Sequence, residues 1–460
     1  MFTTPLRAPG LFIALTVSLL NLKSVRAQQT AAQPTQRLDP LIQKIVSEIS
    51  EERISVILRK LESFETRNTL SDSSQTNRGI GVARQWIFDQ FKSYSPRLEV
   101  SFDTHQIPKG GRVWKDIELR NVVAILPGKM PQATNRWILV SGHYDSLNLK
   151  DAAALRGQPE KAAELFAPGV SDDASGTACA MECARVLSQY EFDATLVFVA
   201  LAGEEQGLVG ARAMAKRLKS QQQEIEAVLN NDIIGNEVSG NGESNSRRVL
   251  VFSEDPNDSP SRQLARFIRS ITTRYSPEMV VDMIFRHDRF GRGGDHTAFN
   301  EEGYPAIRFT TASENFANQH SPTDTFTNAS VPYTAKVIRV NAAAAAALAL
   351  APKPPITKAP TVRRNGPGLT RGTGYDAVLR WDHPNPEPDL AGFMIVIRST
   401  TAPDWEREIW AGNVREFTLK NTPIDQLVIG VKAVDRNGHE SPTAAYITQP
   451  RRVVEVGANE

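Results

Sequence analysis

The stretch "TLVFVALAGEEQGLVGA", residues 195–211, decides the fold. Its first eight residues are apolar and rich in β-branched and aromatic side chains, the composition of a buried strand. Glu204 and Glu205 then stand side by side between Gly203 and Gly207, and "LVGARAMAKRL" follows with helical spacing. A strand that turns tightly into a helix is a building unit of an α/β domain. Two adjacent carboxylates in that turn repel each other, so a chemical reason for placing them there is needed.

The same alternation extends outward. Strand-like runs "LEVSFDTHQI", "ELRNVVAIL", "RWILVSG" and "EAVLNNDII" are interleaved with helix-like runs, one beginning at "DDASGTACAMECARVL". Two amphipathic helical stretches, "LDPLIQKIVSEISEERISVILRKLESF" and "GIGVARQWIFDQFKSY", precede them. The pattern predicts an α/β domain over residues 41–353, with a mixed, mainly parallel sheet sandwiched between helices. The Ala-rich "VNAAAAAALALA" is a strong helix former and is expected to close that domain.

A Pro-rich stretch, residues 354–366, reads as an extended linker, because repeated prolines exclude helix and sheet interior. Beyond it, residues 367–455 alternate short strands with turn clusters and predict a small all-β sandwich. Within it "LRWDHPNPEPDLAGFMIVIR" and "LVIGVKAVDRNGHESP" resemble a fibronectin type III module, with Trp381 as the core tryptophan.

At the other end, Arg7 precedes the apolar "GLFIALTVSLLNL", and "SVRA" places small residues at Val25 and Ala27. This pattern predicts a signal peptide over residues 1–27 and a polar linker over 28–40, hence a secreted or periplasmic protein. A retained anchor is the alternative. Cys179 and Cys183, four apart on a predicted helix, are poorly placed for a disulfide and are expected to be buried free thiols. With 53 Lys+Arg against 52 Asp+Glu, the net charge of +1 makes no electrostatic case for nucleic acid or a membrane surface as partner.

In an open α/β sheet, ligands bind at the carboxyl ends of the strands. "WILVSGHYDS" ends with His143 and Asp145, "VLNNDIIG" carries Asp232, and "APGVSDDASG" puts Asp172 and Asp173 before a helix. Histidine with several carboxylates and no cysteine is the ligand palette of a hydrolytic zinc site, with Mn2+ or Co2+ as other occupants. Adjacent residues of an extended strand point opposite ways, so one of Glu204 and Glu205 should bind metal and the other face substrate. Metal-assisted hydrolysis needs that division: a cation pair polarises the carbonyl and acidifies water, and a free carboxylate moves the proton.

"SGHYDS", "PGVSDDASGTA", "AGEEQGLVGA", "LNNDIIG" and "NQHSPTDTF" resemble, in order and spacing, the co-catalytic di-zinc exopeptidases over roughly residues 41–350. That family includes secreted bacterial aminopeptidases, glutamate carboxypeptidases and, more distantly, glutaminyl cyclases. The resemblance implies two Zn2+ ions bridged by Asp172, with His143 and Asp232 on one, Glu205 and His320 on the other, and Glu204 as general base. It also implies a cis peptide bond after Asp172, an orienting role for Asp145 on the His143 imidazole, and a supporting or oxyanion role for Asp295 and His296 in "FGRGGDHTAFNEEGYPAIRF".

The expected function is a zinc-dependent exopeptidase that removes N-terminal residues from peptide or protein substrates. Three alternatives stay open: a carboxypeptidase using Arg286, Arg289 and Arg292 on acidic C-termini, a glutaminyl cyclase, and a non-enzymatic binding role. The C-terminal module is a candidate for binding a surface, a polysaccharide or a polymeric substrate, or a spacer.

Overall fold

The computed structural model describes residues 33–34, 38–358, 368–372 and 375–447. The expected signal segment lies outside them, as do parts of both expected linkers and residues 448–455 of the expected module.

Eight strands form one sheet: β1 (Glu99–Ile107), β2 (Ile117–Leu126), β3 (Arg136–His143), β4 (Thr195–Leu201), β5 (Glu224–Asn231), β6 (Arg248–Ser253), β7 (Val280–Ile284) and β8 (Ala306–Thr311). Their order is β1-β2-β4-β3-β5-β8-β6-β7. The central strands β4, β3, β5 and β8 run parallel, whereas β1 with β2, β2 with β4, and β6 with β8 pair antiparallel. All of β4 is buried, as a continuous apolar run requires in the middle of a two-faced sheet.

Helices Pro40–Ser47, Glu51–Glu62, Gly79–Tyr94, Ser175–Leu187, Pro260–Tyr275 and Val331–Leu350 cover one face. Helices Val209–Ser220 and His296–Glu301 cover the other. The sheet carries β6, β7 and β8 beyond the five strands named from the sequence. These runs are short, and β8 carries a buried arginine, Arg308, in its middle, which breaks the apolar pattern.

Two features bring chain segments together beneath the carboxyl ends of the strands. Helix Ser175–Leu187 lies directly on β3 and β5: a Cβ at Gly142 would sit 2.1 Å from the Gly176 carbonyl carbon, and one at Gly176 would sit 2.1 Å from the Asn231 carbonyl oxygen. Only glycine allows that approach. The alanines of Val331–Leu350 are buried and let this helix pack closely on its neighbours, and its Asn341 exchanges amide hydrogen bonds of 2.8 and 3.0 Å with Asn231. Cys179 and Cys183 are buried and free.

Among the described residues, the second core belongs to seven strands: β9 (Gly368–Arg371), β10 (Ala377–Arg380), β11 (Leu390–Ser399), β12 (Arg407–Gly412), β13 (Glu416–Leu419), β14 (Leu427–Asp435) and β15 (Ala444–Ala445). They form two sheets, ordered β13-β10-β9 and β12-β11-β14-β15, closed over Trp381, Phe393, Ile395 and Val431. The sandwich is docked on the α/β unit. Arg398 makes two bonds of 2.6 and 2.8 Å to Asp258, and buried Arg136 reaches Glu387 at 2.6 Å and Glu226 at 2.7 Å. Ile356, within the expected linker, exchanges backbone bonds of 2.8 and 2.9 Å with Asp382, so this part of the segment is packed rather than free.

His439 closes the same contact: Nε2 lies 2.7 Å from Asp39 Oδ2 and Nδ1 lies 2.8 Å from Asp435 Oδ2. Burial disfavours its charge, yet Asp435 and Asp39 raise its pKa to about 8. A raised histidine pKa stabilises the fold fully below the unfolded value of about 6.5 and loses that contribution as pH rises through the folded value. Thermal unfolding followed from pH 6 to 9 is therefore expected to show stability falling across that window, by at most about 1.4 kcal/mol per pH unit from this group. His439→Gln should remove that part of the slope; an unchanged slope would contradict the assignment.

Candidate active site

The parallel strands deliver their terminal residues to one place. His143 ends β3, the Glu204–Glu205 turn follows β4, Asp232 follows β5, and His320 lies in the loop after β8. Asp172 comes from the segment before helix Ser175–Leu187, and its peptide bond to Asp173 is cis.

Asp172 lies between two imidazoles. Its Oδ1 is 3.2 Å from His143 Nε2, and its Oδ2 is 3.1 Å from His320 Nε2. His320 Nε2 is also 3.1 Å from Glu205 Oε1, and His143 Nε2 is 3.9 Å from Asp232 Oδ1. Ligand atoms of His143, Asp172 and Glu205 fall within 4.8 Å of one another, as do those of His143, Glu204 and Asp232. The two glutamates thus face different neighbours. They do so from a turn, since β4 ends at Leu201, rather than by the alternation of an extended strand.

This donor set fits a divalent metal. His143 Nε2 and Glu205 Oε1 are buried and have no hydrogen-bond partner among the described residues, the kind of orphaned atom that an ion satisfies. Nitrogen and carboxylate donors without thiolate suit a catalytic zinc site. The electrostatics agree. Burial opposes charge on His320, but Glu205 and Asp172 raise its pKa to about 11. Burial likewise opposes charge on His143, but Asp145 and Asp172 raise it well above the ordinary range. The carboxylate field that favours a proton on each imidazole equally favours a metal cation in the proton's place. Glu204 is pushed well up by burial, with Glu205, Asp232 and Asp295 adding to the shift against the opposing influence of His143.

A second layer fixes these groups. The Asp145 carboxylate accepts the backbone N–H of Glu204 and of Glu205, each at 3.3 Å. The His143 Nδ1 contact is made by the Asp145 backbone carbonyl at 3.1 Å, with the carboxylate at 3.5 Å. Asp145 therefore sets the glutamate turn as much as the imidazole. Asp173 accepts from the backbone N–H of His143 at 3.1 Å, Gly176 at 2.8 Å and Ile233 at 3.2 Å, joining β3, the helix start and the end of β5.

Three residues of this layer are absent from the sequence reading. Asp324 accepts the backbone N–H of Ser171 and Asp172, both at 2.9 Å. Arg67, fully buried, donates to the carbonyls of Tyr144 at 2.7 Å, Pro168 at 2.6 Å and Gly169 at 2.7 Å. Arg308 lies 2.9 Å from Asp232 Oδ1. Asp324 sits inside the quoted "NQHSPTDTF", and a charged residue within an apolar strand is the available signal for Arg308. Arg67, in "FETRNTL", carries no comparable mark.

The site opens into a cleft of about 450 Å3, lined by Asp172, Glu204, Glu205, Asp232 and His320 together with Arg112, Arg289 and Arg292. Arg289 and Arg292 are both held by Glu314, at 3.2 and 2.7 Å. Arg286 stacks on Phe290, 3.6 Å from the ring centroid. Asp295 and His296 are buried and do not line the cleft: His296 Nε2 contacts the His287 carbonyl at 3.0 Å, and the Asp295 carboxylate has no hydrogen-bond partner among the described residues. Burial, together with neighbouring Asp145 and Asp232 and against the influence of His143, pushes Asp295 up to about 8.

Residues 121–345 match the family described as Peptidase family M28. The chain is 35% identical over 442 residues to a probable zinc metalloprotease of the fungus Pyricularia oryzae, covering 88% of this chain and 84% of that protein. In fold it is similar to the Legionella pneumophila LapA aminopeptidase, with a TM-score of 0.52, 22% identity, and coverage of 70% of this chain and 78% of that one. It is also similar to the Macrostomum lignano glutaminyl cyclase, with a TM-score of 0.52, 16% identity, and coverage of 68% and 94%. The sequence likeness is thus to a fungal protein, where the motifs had suggested bacterial ones. A sheet that gathers imidazoles and carboxylates into a metal-binding donor set and this extent of shared sequence lead to one conclusion: the chain belongs to peptidase family M28 and is a metallopeptidase.

Proposed function

We propose that this metallopeptidase is an exported aminopeptidase that works with two zinc ions. The observation that carries the reading is the Asp172 carboxylate, whose two oxygens face two different histidines, each with a further carboxylate at hand. In this reading His143, Asp232 and Asp172 hold one ion, and Asp172, Glu205 and His320 hold the other. Zinc is favoured over Mn2+ or Co2+ by the donor set and by the name of the fungal relative.

When bound, the ions supply Lewis acidity that polarises the scissile carbonyl and favours deprotonation of the attacking water. The chain's own residues do the rest. Glu204 takes a proton from the attacking water on its carboxylate and passes it to the departing amine nitrogen. Its position suits that double task, because its carboxylate lies within 4.8 Å of the ligand atoms of His143 and Asp232. Asp145 keeps the Glu204 backbone in place through its N–H. Arg289 and Arg292, candidates for gripping a C-terminal carboxylate, are engaged by Glu314, which weighs against the carboxypeptidase alternative.

The C-terminal sandwich is proposed as a fibronectin type III-like module, supported by its three- and four-stranded sheets and by buried Trp381, 5.4 Å from Phe393. Export is proposed from the apolar segment and Ala27 near the amino terminus.

Glu204→Gln is expected to retain zinc and fold while turnover falls by roughly 10²–10⁴-fold; normal turnover by a metal-loaded variant would overturn the proton-carrier role. Purified protein should also be given one peptide in free, N-acetylated and C-amidated forms, with products followed by mass. The expected result is loss of N-terminal residues that a chelator stops, zinc restores and acetylation blocks. Blocking by amidation instead would move the enzyme to the carboxypeptidase reading.

A further inference from the structure

Arg308 connects the metal centre to the wall of the cleft, and no part of the chemistry above uses it. The side chain projects from β8 and is fully buried. Its Nη2 lies 2.9 Å from Asp232 Oδ1. Its Nη1 lies 3.3 Å from Asp288 Oδ2 and donates to the Gly293 carbonyl at 2.6 Å. Asp288, itself buried, continues the connection: its Oδ1 accepts from the Arg289 backbone N–H at 2.6 Å and from Arg289 Nε at 3.0 Å. Arg289 then reaches Glu314, which also holds Arg292. Arg289, Gly291, Arg292 and Gly293 line the cleft.

We propose that Arg308 is a positioning residue that ties the ligand carboxylate Asp232 to the substrate-facing loop 286–293, so that centre and cleft wall are held as one unit. A planar guanidinium can meet an oxygen at each end, which a lysine ammonium on a flexible stem cannot reproduce. The space admits little variation: a Cβ at Gly294 would lie 3.0 Å from Arg308 Nη1 and 3.1 Å from Asp232 Oδ2. Arg308 and Asp288 are both buried and opposite in charge, so removing either takes one ionic partner from the other and leaves Arg308 with Asp232 alone, or Asp288 with Arg289.

The inference rests on the two-metal aminopeptidase reading, and two variants divide its parts. Asp288→Asn loosens the loop arm without touching Asp232. It is expected to raise KM by roughly tenfold with kcat within about twofold. Its zinc content should equal that of the parent, and amide hydrogen exchange over residues 286–293 should be faster with or without zinc. Arg308→Lys disturbs both arms and should change kcat as well as KM, and lower zinc retention against a competing chelator. Asp288→Asn with the parent's KM and the parent's exchange over 286–293 would overturn the proposal, as would Arg308→Lys with the parent's zinc retention and kinetics. If Arg308→Lys does not fold, the Asp288→Asn comparison decides alone. A parent protein that binds no zinc would instead contradict the two-metal reading, and the exchange comparison, which needs no metal, would still judge the loop anchor.

Discussion

The constraint on which the rest depends is the crowding of buried Asp172, Glu205 and Asp232, with half-buried Glu204, around one small space. Two like charges about 4 Å apart repel by about 4 kcal/mol at the effective dielectric of a protein near its surface. Such a group persists only if cations stand among the carboxylates and if a scaffold prevents them from moving apart. His143 and His320 mark where positive charge is wanted, since neighbouring carboxylates raise the pKa of both against the effect of burial. Backbone amides supply the scaffold: Asp145 holds the glutamate turn, Asp324 holds the approach to Asp172, and Asp173 ties β3, β5 and the helix start together.

That scaffold explains much of the fold. The glycines at 142 and 176 exist so that a helix start can reach the ends of β3 and β5, where Asp173 collects their N–H groups. The alanine-rich helix packs behind and fixes Asn231, the residue before Asp232. Arg67 sits deeper, with its guanidinium on three carbonyls of the loops that carry Tyr144 and Gly169. Burial lowers its pKa to about 10, while Asp324, Asp145, Asp173 and Asp172 work to keep it charged.

The α/β class and the central strands were legible in the sequence because β4 is a nearly continuous apolar run and β3 and β5 carry shorter ones, residues 137–140 and 227–229, that end in polar residues. β6, β7 and β8 were not, because they are short and carry charges such as Arg248 and Arg308 within or at their ends. In the site, ligand-type residues at strand ends were legible and the structure brings His143, Asp172, Glu204, Glu205, Asp232 and His320 together. The supporting layer was less so: Asp324 and Arg67 act on backbone groups far along the chain, with nothing local to distinguish them from surface charges, and only Arg308, a charge inside an apolar strand, leaves a local mark. The sandwich is docked by Arg398 on Asp258 and Arg136 on Glu387, partners separated by well over a hundred residues, which no periodicity encodes.

The measurement that tests the account most directly is anomalous diffraction at the zinc edge from crystals of the zinc-loaded protein. The account predicts two peaks, one on each side of the Asp172 carboxylate, with His143 and Asp232 on one, Glu205 and His320 on the other, and Glu204 bound to neither. A single peak, or Glu204 as a ligand, would contradict it.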